Sequence, residues 1–169
     1  MDCSHVQFCV HDQNSRSLGV REGAREGGRD IDLHQLQGLF QVTAFWAQDR
    51  RVEDLQVAIA HSNPVVTAWD GDRLIGFARA TSDGIYRATI WDVLIHPDYQ
   101  GAGLGRKLVE TVLMHPDVNR VERVYLMTTN QQKFYERIGF EANQTTTMVL
   151  FNQPISQEGL PTVVTELAH

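Results

Sequence analysis

The chain has 169 residues, a formal net charge of −6 and 42% apolar residues, which allows one domain with a real core. The acidic balance argues against nucleic-acid binding, which calls for a basic face, and no apolar run is long enough to span a membrane. Met1-Asp2-Cys3-Ser4-His5 lacks the basic start and apolar core of a signal peptide, so a cytoplasmic protein is expected; Cys3 and Cys9 have no histidines at ligand spacing and are expected to be free thiols.

In chain order, Val6–Val10 is a short apolar run that suits a first strand. Residues 11 to 29 are polar, with Gly19, Gly23, Gly27 and Gly28 set among charges, and suit a flexible loop. Asp30 is placed to cap a helix whose apolar face is Leu33, Leu36, Phe40, Ala44 and Ala47. A shorter helix carries Val52, Leu55 and Ile59 and stops at Ser62-Asn63-Pro64. Val65–Trp69, Leu74–Thr81 and Ile85–Ile95 then alternate with Asp70-Gly71-Asp72 and Ser82-Asp83-Gly84, predicting an antiparallel meander. A helix follows from about Leu104 to His115, stopped by Pro116. Val121–Thr128 is β-branched and aromatic, so strand, helix and strand predict a parallel crossover and hence a mixed sheet. A short helix from about Gln131 to Ile138 ends at Gly139, and Thr145–Phe151 suits a last strand. The domain is expected over residues 1–151, with 152–169 an aperiodic tail.

The stretch from Asp92 to Lys107 joins the long strand to the helix through Gly101, Gly103 and Gly105. Glycines at alternate positions let backbone N–H groups converge, and a helix start adds unpaired donors and partial positive charge; phosphate oxygens suit such a place. A Walker loop would need Lys and then Ser or Thr after the last glycine, where Arg106, Lys107 and Leu108 stand. The dinucleotide fingerprint would need glycine at position 106, and its acidic partner could only be Glu122, at the wrong end of its strand.

The stretch resembles the acyl-CoA loop of the GNAT superfamily of N-acetyltransferases, whose signature is Gln or Arg, x, x, Gly, x, Gly or Ala; here Gln100, Gly103 and Gly105 fill the fixed places. Lys133-Phe134-Tyr135-Glu136-Arg137-Ile138-Gly139-Phe140 resembles the family's closing motif, and the likeness runs from about Leu33 to Phe151. Gly76–Gly84 and Ile90–Val93 are similar to the cyanobacterial and chloroplast branch, which includes enzymes assigned to serotonin and related arylalkylamines and others assigned to protein amines.

The resemblance implies an α/β fold of mixed α+β character, with a twisted mixed sheet of six to seven strands flanked by about four helices. It implies direct acetyl transfer from acetyl-CoA to a primary amine, first an arylalkylamine such as serotonin or tryptamine. The alternatives are a protein lysine or N-terminus, a polyamine, or a non-catalytic acyl-CoA-binding module. A homodimer is common among relatives. Tyr135 would serve the departing thiolate and Asp92 would be the base, directly or through water. Val93, Leu94 and Ile95 would pair with pantetheine, with the Leu94 N–H also open to the oxyanion. Gln100, Gly101, Ala102, Gly103, Leu104, Gly105 and Arg106 would hold the pyrophosphate, with Thr128, Asn130, Lys133 and Phe134 completing the cofactor groove. Thr128 stands where many relatives have Asn or Asp, and Gln131 stands where a small residue is usual. Phe45, Trp46 and Tyr86 are candidates for an aromatic amine pocket. His61, His96 and His115 show no metal-binding spacing, so no metal is expected.

Overall fold

The structure, a computed structural model, describes residues 3–12 and 29–152. Five strands form one sheet in the order β1-β2-β3-β4-β5: Gln7–His11, Val65–Asp70, Arg73–Ser82, Arg87–Ile95 and Arg123–Tyr125. The first four are antiparallel neighbours, and β5 runs parallel to β4, so the sheet is mixed as the crossover predicts. The helices are α1 (Leu33–Thr43), α2 (Val52–Ala60), α3 (Leu104–Met114), α4 (Pro116–Asn119) and α5 (Gln132–Glu136).

Strand alternation sends apolar side chains to both faces. One face buries Val65, Trp69, Phe77 and Leu94 against Leu36, Leu39 and Phe40 of α1 and Leu55 of α2. The other buries Val66, Ala78, Ala80, Ala88 and Ile90 against Leu108, Val109 and Val112 of α3 and Val118 of α4. The small side chains of Ala78, Ala80 and Ala88 leave room for α3.

Several expectations are corrected. Asp32, not Asp30, caps α1, its carboxylate accepting from the N–H groups of His34 and Gln35. Pro116 stops α3 but also opens α4, where a first-turn proline has no helical N–H to lose. His115 Nδ1 accepts from Asp117 N, and His96 Nδ1 does the same for Asp98 N before the 3-10 turn Pro97–Tyr99; one local His-Pro-Asp device occurs twice. The strand expected at Thr145–Phe151 does not form: residues 141–152 have no strand or helix, and Met148 to Phe151 are exposed. A strand needs an edge to pair with, and β5 offers only three residues. Among the described residues the sheet therefore has five strands, not six to seven. Most of the expected 11–29 loop and the tail beyond Asn152 lie outside the described residues.

Candidate active site

The site is set by two interruptions of β4. The first is on its β5 side. Residues Arg87, Ala88 and Thr89 pair with Arg123, Val124 and Tyr125, and there the pairing stops. On that side the stretch Ile90–Ile95 runs on with no strand beside it. A slot with unpaired strand backbone along one wall is thus open at the C-terminal end of a parallel pair, where open α/β sheets bind ligands.

The second interruption is on the β3 side. Phe77 faces Leu94 and Arg79 faces Trp91, so two steps along β3 match three along β4. The extra residue makes a β-bulge that includes Asp92, whose φ is +53°. Among the described residues it is the one non-glycine with positive φ. Its side chain is 6% exposed and sits between two guanidinium groups: Arg79 Nε donates to Oδ2 at 2.7 Å, and Arg50 Nη1 lies 2.9 Å from the same oxygen. Arg79 also donates to Ser62 Oγ at 3.1 Å and lies over the Trp91 ring at 5.8 Å. Asp92, expected as the base, thus has its Oδ2 committed to two cations, and its geometry is that of an anchor holding the bulge.

Beyond Ile95 the chain makes the 3-10 turn and enters the glycine loop. Gly101 and Gly103 both have φ of +80°, and Gly103 is the left-handed N-cap of α3. Among the described residues, the backbone N–H groups from Gly101 to Arg106 meet no backbone acceptor. Gly101, Ala102 and Gly103 are exposed, while Leu104 is buried with Val6, Ala68 and Ile75 and pins the first turn. Gln100 departs from expectation. Its N–H donates to Pro97 O and its Nε2 to Ile95 O, so it braces the turn and the free donors start at Gly101. Arg106 is exposed and paired along the helix with Glu110.

The closing motif lies against this loop. A Cβ built on Gly105 would stand 3.5 Å from Phe134 Cζ, so α5 packs on the first turn of α3. Tyr135 is half-buried between the rings of Phe134 and Phe140, with centroids at 4.9 and 5.9 Å. Burial raises the pKa of its phenol above the ordinary value, so the hydroxyl keeps its proton. Thr128 Oγ1 accepts from Gln131 N at 3.1 Å and so braces the turn into α5. Asn130 and Lys133 are exposed beside that turn.

Of the aromatic candidates, Phe45 and Trp46 sit together on the α1–α2 connection, edge to face at 5.0 Å, 71% and 56% exposed. The same connection carries Arg50, which ties it to Asp92. Tyr86 does not join them. It precedes the paired, closed end of β4, and five residues of strand separate it from Asp92, roughly 20 Å at strand rise. Arg50, Arg79 and Ser62 were not singled out from sequence. A signal existed for Arg79: an arginine within the apolar run of β3, with Asp92 within the next strand, places opposite charges where a hairpin can bring them together.

An open slot in a mixed sheet covered by helices on both faces, with a glycine loop feeding a helix N-terminus at its mouth, is the architecture of an α/β protein that binds an extended ligand ending in phosphate. Residues 61–142 match the family described as "Acetyltransferase (GNAT) domain". The chain is 32% identical over 139 residues to "Uncharacterized N-acetyltransferase ycf52" of Pyropia yezoensis, covering 79% of each. It is 36% identical over 128 residues to "Histone acetyltransferase TAP1" of Glycine max, covering 69% of this chain and 54% of that one. A putative GNAT-family acetyltransferase crystal structure from Xanthomonas campestris superposes with a TM-score of 0.65 at 26% identity, covering 85% of this chain and 94% of that one. The chain belongs to the GNAT acetyltransferase family. It spans about half to two thirds of the length of most curated relatives it matches.

Proposed function

We propose that the chain transfers the acetyl group of acetyl-CoA directly to a primary amine, an arylalkylamine being the first candidate. The observation that carries the reading is the meeting of two features: the stretch Ile90–Ile95 free of β5, and six consecutive amides, Gly101–Arg106, at the start of α3 that meet no backbone acceptor among the described residues. The first suits an extended pantetheine amide chain and the second a diphosphate. The open edge along Val93, Leu94 and Ile95 would pair with pantetheine, and Lys133 and Asn130 stand exposed at the rim. Acetyl-CoA supplies the activated acyl carbon; the protein's part is alignment and proton control.

The amine nitrogen attacks the thioester carbon, the new N–C bond forms and the C–S bond breaks. Leu94, expected to serve the oxyanion, stands opposite Phe77 in a pair that turns its N–H toward β3, so the Val93 N–H, on the open side, is the candidate donor to the oxygen that gains charge. Tyr135 keeps its proton and is the candidate donor to the departing sulfur. With Asp92 held by two arginines, the amine's proton leaves through water. No acyl-enzyme is involved.

Phe45 and Trp46 favour an aromatic acceptor, since they stand exposed on the loop that Arg50 ties to the bulge. The histone acetyltransferase name of the soybean relative favours a protein amine as the second reading. The test is CoA release from acetyl-CoA with tryptamine, serotonin, polyamines and Lys peptides at matched concentrations. Release with an arylalkylamine above the others supports the reading. Stabilisation by acetyl-CoA with no release for any amine would leave a binding module instead.

A further inference from the structure

The two arginines on Asp92 are not equivalent. Arg79 is spent: Nε on Asp92, Nη1 on Ser62, its plane by Trp91, its side chain 16% exposed. Arg50 shares the same carboxylate oxygen, leans over the Phe40 ring at 4.8 Å and is 33% exposed. No acceptor among the described residues takes its Nε or Nη2. Asp49 and Glu53, the acids beside it in sequence, form no ion pair with it.

One carboxylate charge balances one guanidinium. Asp92 is already satisfied by Arg79, so the second cation leaves the cluster with an uncompensated positive charge beside the bulge. A partly buried guanidinium with free donors is a place for a second carboxylate, which it can grip with two parallel hydrogen bonds. Four and five residues earlier on the same connection stand the exposed rings of Trp46 and Phe45. One short connection thus carries an exposed aromatic pair and a guanidinium with free donors, and the Arg50–Asp92 pair ties that connection to β4.

We propose that the acceptor is an aromatic amino acid: its carboxylate pairs with Arg50, its ring packs on Phe45 and Trp46, and its α-amine is the nucleophile. This rests on the acetyl-transfer reading above and narrows it from arylalkylamines to those that carry a carboxylate on the amine-bearing carbon. Anchoring that carboxylate fixes the amine two bonds away, so Arg50 sets where the nitrogen points as well as what binds. The reaction balances as before: the N–C bond forms, the C–S bond breaks, the ammonium proton goes to solvent and the thiolate is protonated.

The test compares tryptophan with tryptamine and phenylalanine with phenethylamine, at saturating acetyl-CoA, in the native chain and in Arg50→Gln and Arg50→Lys. The native chain is expected to favour the carboxylate-bearing member at least tenfold in kcat/KM. Arg50→Gln should collapse that ratio toward one, and Arg50→Lys should keep part of it. Calorimetry of N-acetyltryptophan and N-acetyltryptamine on the CoA-loaded protein reads the same preference without turnover and without any variant. Equal or reversed preference in the native chain overturns the proposal, as does a ratio unmoved in Arg50→Gln. Release of CoA only with Lys peptides or polyamines overturns it while acetyl transfer stands. Failure of every amine, with acetyl-CoA still bound, sinks the transfer reading itself, and calorimetry then decides the site on its own.

Discussion

Arg79 Nε donates to Asp92 Oδ2 at 2.7 Å, from one strand of a hairpin to the other beside the slip in their register. The contact ties a left-handed residue of β4 to a fixed point on β3. The residues after it, Val93 and Leu94, border the open slot, so the ion pair fixes the backbone that would meet the thioester.

Asp92 can be tested as anchor against base. Asparagine tolerates positive φ but carries no charge to set against the two guanidiniums. Removing one partner of a buried pair costs about 3–5 kcal/mol, and the part-exposed Arg50 puts the expected loss at or below the low end of that range. Urea denaturation of Asp92→Asn should show this loss, and Asp92→Ala should lose about 1 kcal/mol more from backbone strain. Turnover of Asp92→Asn, measured where the protein is folded, should stay within about tenfold of native, since loss of a general base typically costs about 10²–10⁴. A fall in that larger range would restore the carboxylate as base.

Tyr135→Phe keeps the ring between Phe134 and Phe140 and removes only the hydroxyl. Turnover should fall by about 10²–10⁴ with little change in the KM for acetyl-CoA. The sign of the pH effect follows from burial, which raises the pKa in the folded state. Any stability from this group is whole below the unfolded value of about 10 and is lost as pH rises through the higher folded value. An alkaline limb in turnover due to Tyr135 therefore lies above pH of about 10. A limb well below that, absent in Tyr135→Phe, would contradict this assignment.

Sequence reading went furthest where chemistry is local. The helix faces of α1 and α3 are written in spacing, and the two stretches singled out by resemblance lie in contact, Phe134 against Gly105. What escaped is what depends on register. A one-residue slip between β3 and β4 turns Asp92 into a doubly paired anchor, and nothing in the order of residues announces it. Arg50 comes from a connection with no periodicity. Thr145–Phe151 has the composition of a strand, but composition does not supply an edge.

Gly103→Ala tests the loop. The added methyl group meets no atom within 4 Å, so crowding is not the issue; the φ of +80° is. An alanine held there costs roughly 1–2 kcal/mol, or the loop relaxes and its amides turn away. Either way the KM for acetyl-CoA should rise several-fold while the KM for the amine moves little. Gly103→Asn should be milder because asparagine visits left-handed backbone more readily. An unchanged acetyl-CoA KM in the alanine variant, with native stability, would show that these amides do not hold the diphosphate.

The Thr128 hydroxyl has a local task, accepting from Gln131 N ahead of the helix that carries Phe134 and Tyr135. Thr128→Val keeps the shape and removes the acceptor. By analogy with lost helix caps the cost is about 0.5–2 kcal/mol, nearer the low end because the Gln131 end of the bond is exposed. The loss falls on α5, so kcat should drop several-fold as Tyr135 loosens, while binding at Gly101–Arg106 persists. Thr128→Asn supplies a side-chain oxygen that can take the same bond and should hold both stability and turnover near native. Thermal midpoints with kcat for the two variants check this; equal loss in Val and Asn would mean that the hydroxyl, rather than any acceptor at that place, meets the reacting groups.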